Sequence, residues 1–151
     1  MAEIWFYHLT ERKLEDTLPV LLEKCLERDM TVAVQSPDRA RLEMLDERLW
    51  TYRPESFLPH GTDTADFPEH QPVLLTTSPD NINAADIRIL IDKAPAPDPT
   101  GYKRMIFLFD GYDQPQVDAA RGEWKRLKGE GHALTYWQQT SSGGWEKKAT
   151  G

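Results

Sequence analysis

The side chains able to do chemistry in this 151-residue chain are four histidines, one cysteine, a scatter of serines and 25 acidic residues. Their spacing suits catalysis poorly. His8, His60, His70 and His132 form neither an HExxH nor an HxH pattern, so no pair of them shares a helix face as a metal site requires. His60 and His70 stand near Asp63, Asp66 and Glu69, but a solvated acidic loop is the commoner arrangement for such a group. Ser56 and Ser78 have no partner histidine and no neighbouring oxyanion glycine. Cys25 is the only cysteine and falls at a regular apolar position of a helix, which describes a buried thiol. The turn after the first strand, His8-Leu9-Thr10-Glu11-Arg12, lacks the close glycines that let backbone N–H groups approach a pyrophosphate, and it places an acid where phosphate would sit. No cofactor, no metal and no catalytic residue is expected.

Two stretches carry more. Around residues 115–128, Val117, Ala120, Trp124 and Leu127 define one apolar helix face. Arg121, Lys125 and Lys128 follow at i, i+4 and i+7 as a basic stripe beside it, with Trp124 at the seam. Such a stripe suits a peptide that presents carboxylates next to an aromatic ring. By spacing alone, a solvated outer face with an ordinary core tryptophan is the commoner arrangement. The second stretch, Trp50-Thr51-Tyr52-Arg53-Pro54-Glu55-Ser56-Phe57-Leu58-Pro59-His60, gathers aromatics and prolines past a helix end. They are either anchors for a partner or a lid folded back on the core.

The elements positioning these groups alternate. Ile4–Leu9 and Thr31–Gln35 read as buried strands around a leucine helix (Leu14, Leu18, Leu21, Leu22, Cys25, Leu26) that Pro19 interrupts, so that it begins or kinks there. Asp38 is placed to cap a helix bearing Leu42, Leu45 and Leu49. Residues 51–72 are irregular. Val73–Thr76, Ile87–Ile91 and Arg104–Phe109 are further strands, Pro115–Lys128 is the last helix, stopped by Gly129 and Gly131, and His132–Trp137 is a final strand. This order predicts a single-domain three-layer α/β fold with a mostly parallel sheet, spanning residues 1–140, with 141–151 as a flexible polar tail. The net charge of −7 disfavours direct nucleic-acid binding, although a local basic patch is compatible with it. The N-terminus lacks a signal-peptide pattern, and no apolar run approaches the ~20 residues needed to span a bilayer. A cytoplasmic protein without membrane contact is expected.

The strand Trp5-Phe6-Tyr7 with its leucine helix, the segment from Leu49-Trp50 through Arg53-Pro54-Glu55-Ser56-Phe57-Leu58-Pro59-His60, and Asp110-Gly111-Tyr112 leading into the helix of Arg121, Trp124 and Lys125 together resemble the DNA polymerase III chi subunit family. The likeness runs from about Ile4 to Trp137. It implies a Rossmann-like fold with no nucleotide site and no catalysis of its own. It implies two partners, the psi subunit of the clamp loader and the acidic C-terminal tail of single-stranded-DNA-binding protein. Carried over by residue, Trp50 and Phe57 would face psi, a surface also open to a helicase. Arg121, Trp124, Lys125 and Lys128 would hold the tail, with Trp124 where tyrosine is more usual. The competing reading is a small nucleotide-binding protein or enzyme on the same scaffold.

Overall fold

The computed structural model describes residues 3–51, 59–64, 66–142 and 144–150. Eight strands form one sheet: β1 (Glu3–Leu9), β2 (Val32–Gln35), β3 (Gly61–Thr62), β4 (Val73–Thr76), β5 (Ile87–Leu90), β6 (Arg104–Asp110), β7 (Leu134–Gln139) and β8 (Trp145–Thr150). Three helices accompany them: α1 (Leu14–Glu27), α2 (Arg39–Thr51) and α3 (Gln114–Gly129). The sheet order is β3-β4-β2-β5-β6-β1-β7-β8. Every pairing is parallel except β7 with β8. The three-layer α/β expectation, with a mostly parallel sheet, holds.

Alternation along the strands divides the core. Leu9, Val34, Leu75, Ile89 and Ile106 face the layer of α1 and α2, where Leu14, Leu18, Leu22, Leu42, Leu45 and Leu49 meet them. Ile4, Phe6, Met105 and Phe107 face α3 through Val117, Ala120 and Leu127. Helix α1 is continuous across Pro19, so the proline removes one ladder donor without ending the helix. The Asp38 carboxylate accepts from the backbone N–H of Ala40 (3.0 Å) and Arg41 (3.4 Å), as an N-cap should. Asp113 caps α3 the same way through Gln116 N–H, and Gly131 at φ +89° turns the chain out of that helix.

Two expectations change. Within the irregular 51–72 segment, Gly61 and Thr62 add a short strand to β4. Residues 141–151, read as a flexible tail, contain β8, which pairs antiparallel with β7 from Gln139↔Trp145 to Thr135↔Thr150. Trp145 stacks on Tyr7 at 4.6 Å. The ladder and this one aromatic contact hold a segment otherwise too polar to read as a strand.

On the α3 side, Ala85, Ala94 and Tyr102 of the connecting chain pack with Ala33 of β2 and Leu90 of β5, and Arg88 fastens that chain. Arg88 is wholly inaccessible to solvent. Its guanidinium donates to Gln35 Oε1 (2.9 Å), Tyr102 Oη (3.0 Å) and the carbonyls of Asp80 (3.3 Å) and Ser78. Burial pulls its pKa below the ordinary arginine value. Removing the guanidinium would leave four acceptors without their donor, two of them on the buried residues Gln35 and Tyr102. Arg88→Ala should therefore cost at least about 3 kcal/mol, read as a lower urea midpoint at unchanged slope, whereas Arg48→Ala, losing only an exposed ion pair with Asp16, should cost less than about 1 kcal/mol.

Candidate functional site

Helix α3 lies on the sheet by Val117, Ala120 and Leu127, which turns its i, i+4, i+7 basic row outward. Arg121, Lys125 and Lys128 are exposed. None of the three makes an ion pair among the described residues. Arg126 on the same helix is spent instead on Glu123 (2.6 Å) and Glu130 (3.0 Å). The helix thus neutralises one of its cations and leaves the other three available. Lys128 also sits in the last turn, where a cation complements the helix dipole whatever else it does. It stands about 10 Å along the axis from Arg121.

Trp124 is half-buried, not a closed core residue. Its indole meets Phe6 edge-on at 5.3 Å and Tyr136 edge-on at 5.9 Å. Behind it, Tyr136 Oη and His8 Nδ1 share a 2.6 Å hydrogen bond, and both rings lean on Phe109. Burial and then the Arg121 charge hold the His8 pKa below the ordinary histidine value, against the opposing pull of Asp110. The Tyr136 hydroxyl is pushed up by burial and drawn back by Arg121. Arg121 therefore acts electrostatically on both. The site is a guanidinium, an indole and an ammonium on one helix, backed by a neutral imidazole and a phenol on the sheet.

His8 and Tyr136 were not among the residues singled out in the sequence, where His8 reads only as a strand-end residue. They lie 128 positions apart and meet because β1 and β7 are parallel neighbours. In the sequence Gly111 reads only as part of the Asp110-Gly111-Tyr112 motif, and the structure gives its reason. A Cβ there would fall 2.0 Å from His8 Nε2 and 2.7 Å from the Leu9 carbonyl oxygen.

The second stretch is divided. Trp50 lies in the last turn of α2 and is 51% exposed. Its indole lies 4.5 Å from the His60 ring. His60 is buried, with Nε2 at 3.1 Å from the Asp46 carbonyl and 3.0 Å from its carboxylate. This histidine pins the returning chain to α2, which corrects its reading as loop polarity. Phe57 falls within 52–58, outside the described residues. Among the described residues no group of three or more His, Cys, Asp or Glu could hold a metal.

The turn after β1 bears on nucleotide binding. Its N–H groups do converge, but onto the chain itself. The buried Gln139 Oε1 accepts from Glu11 N–H (2.9 Å), Arg12 N–H (2.9 Å) and, more weakly, Thr10 N–H (3.4 Å). The place where a dinucleotide fold cradles phosphate is filled by an internal amide.

Gly111→Ala should force His8 off Tyr136 and cost about 1–3 kcal/mol by overpacking. A histidine whose folded pKa is depressed loses stability as pH falls through and below its unfolded pKa, because the unfolded chain then binds more protons. An NMR titration should place His8 below the ordinary value in the parent protein. It should lie closer to that value in Gly111→Ala, with a shallower loss of stability on acidification.

A family model described as "DNA polymerase III chi subunit, HolC" matches residues 1–135. A protein of Rickettsia prowazekii (strain Madrid E), "Probable DNA polymerase III subunit chi", is 30% identical over 91 residues, 60% of this chain and 55% of that protein. The chain thus matches little more than half the length of that relative. With the match reaching from the first residue into β7, this chain belongs to the DNA polymerase III chi subunit family.

Proposed function

We propose that this chain is a non-catalytic accessory subunit of the bacterial DNA polymerase III holoenzyme, an adaptor between the psi subunit and the acidic C-terminal tail of single-stranded-DNA-binding protein. One observation carries the tail assignment. In a chain of net charge −7, three cations beside a half-exposed indole have no carboxylate paired with them among the described residues. A peptide ending in acidic and aromatic residues would gain charge-assisted hydrogen bonds from Arg121 and Lys125. Its ring would find apolar surface on Trp124, and Lys128 would extend the cationic field along the helix. For psi, exposed Trp50 braced by His60 supports the docking role, with Phe57 as its companion. A helicase is a further candidate for the same surface.

The competing reading, a nucleotide binder or enzyme, finds no support at the first βα turn. Its backbone donors are already satisfied by Gln139, so an incoming phosphate would have to displace a buried amide.

Arg121→Ala should weaken binding of a synthetic tail peptide by at least about 1.5 kcal/mol in calorimetry; unchanged affinity would remove Arg121 from the site. A bound tail brings carboxylates toward His8 and favours its protonated form, so binding should take up protons and tighten as pH falls through the titration of His8, levelling off below it. Calorimetry in two buffers of different ionisation enthalpy measures that uptake, and His8→Gln should abolish it. Trp50→Ala and Phe57→Ala should each prevent co-purification with psi while leaving the thermal transition in place.

A further inference from the structure

The sheet face opposite α3 holds a second feature that the adaptor reading does not use. Alongside α1, over β1, β6 and the end of β7, a cavity of about 360 Å³ opens between the helix and the sheet. Trp5, Tyr7 and Trp145 form its aromatic floor, and Val20, Leu21, Met30, Ile87 and Ile106 its aliphatic walls. Its charged lining consists of Arg12, Lys24, Arg28 and Arg104, with no carboxylate among the lining residues. Arg12, Lys24 and Arg28 are exposed and make no ion pair among the described residues. Arg104 pairs with Glu3 at 3.2 Å and lies 3.7 Å over the Trp5 ring, leaving its Nε buried without a hydrogen-bond partner.

We propose that this cavity is a second docking site, separate from the α3 row, for an acidic peptide segment that inserts an apolar side chain between α1 and the aromatic floor. Charge complementarity selects an anion, since Arg12, Lys24 and Arg28 gather without an ion pair among the described residues, beside an Arg104 that Glu3 holds, in a chain whose acids outnumber its bases by seven. The walls select the rest of the ligand. Single-stranded nucleic acid would stack bases on open ring faces, but these faces are engaged. Tyr7 and Trp145 stack on each other at 4.6 Å, and the Arg104 guanidinium covers Trp5. What remains is an aliphatic slot with a cationic rim, which accepts a leucine or phenylalanine side chain flanked by aspartates.

A short fluorescein-labelled peptide of consecutive aspartates beside Leu-Phe and a labelled oligothymidylate, each titrated by anisotropy into the full chain at low and at about 0.3 M salt, test this. Lys24→Glu with Arg28→Glu should weaken peptide binding at least tenfold in an Arg121→Glu background, where only this cavity remains to bind. Lys24→Gln with Arg28→Gln should give a smaller loss in the same direction, which guards against a folding defect in the charge reversal. If Arg121→Glu alone abolishes all peptide binding, the cavity proposal falls and the α3 reading stands. If Arg121→Glu changes nothing and the α1 double variant removes all binding, the α3 reading fails and the cavity holds. Tighter binding of oligothymidylate than of peptide, lost in the α1 variants, would overturn the peptide assignment, as would no binding of either probe.

Discussion

A single buried guanidinium determines whether this sheet can close with three helices. On the α3 side, connecting chain packs with α3 over β2 and β5. Arg88 holds that chain by donating to the carbonyls of Ser78 and Asp80 and the hydroxyl of Tyr102, with Gln35 as its remaining acceptor. No carboxylate pairs with it among the described residues. The charge is stabilised by neutral dipoles, an arrangement tolerable only when each N–H finds an acceptor. Because β5 pairs β6 and β6 pairs β1, the strand carrying His8 and Phe6 is held in a sheet whose closure depends on this contact. The α3 site inherits its rigidity from the same source.

The opposite face is closed differently. There α1 and α2 leave β1, β7 and β8 partly covered, and the chain caps them with aromatic rings and a cation instead of a helix. Trp5, Tyr7, Trp137 and Trp145 meet at centroid distances of 4.6 to 6.0 Å, with Arg104 and Lys147 over two of the indoles. Sites therefore arise on both faces for one physical reason, since incomplete layers leave aromatic surface at a boundary with solvent. The cations around that surface separate a binding face from an aggregation hazard.

Much of the fold was legible because it is periodic. Short apolar runs marked β1 to β7 apart from β3, leucine spacing marked α1 and α2, and the i, i+4, i+7 row placed Arg121, Lys125 and Lys128 together on α3. What escaped was set by contacts across the chain or by segments too short or polar to carry a pattern. Gln139 reaches the turn at Glu11 and Arg12 from 127–128 positions away, and His8 finds Tyr136 across 128. No local signal announces either meeting, which only parallel pairing of β1 with β7 brings about. Strand β3 is two residues long. Strand β8 is Trp-Glu-Lys-Lys-Ala-Thr, and its lysines discourage edge-to-edge association while hiding the strand from a hydrophobicity reading. His60 read as loop polarity because its anchor, Asp46, lies on a helix that the irregular segment must first leave and then rejoin.

The exposure of the α3 cations sets what kind of contact they can make. An ion pair left in solvent yields about 0–1 kcal/mol and is screened by salt, so Lys125 and Lys128 would add little, and a bound tail would depend on the Arg121 hydrogen bond, shielded beside the indole, and on the indole itself. Only one edge of that indole is closed off, by Phe6 and Tyr136, so an incoming ring gains part of the contact area that a buried pocket would offer. An acidic peptide bound there would associate quickly under long-range attraction and dissociate quickly. Burying Arg121 deeper would strengthen the pair but also impose the desolvation cost of a charge. Its position at the surface, with influence on His8 and Tyr136 beneath it, would keep the contact reversible while coupling it to an imidazole whose pKa is held below the ordinary histidine value.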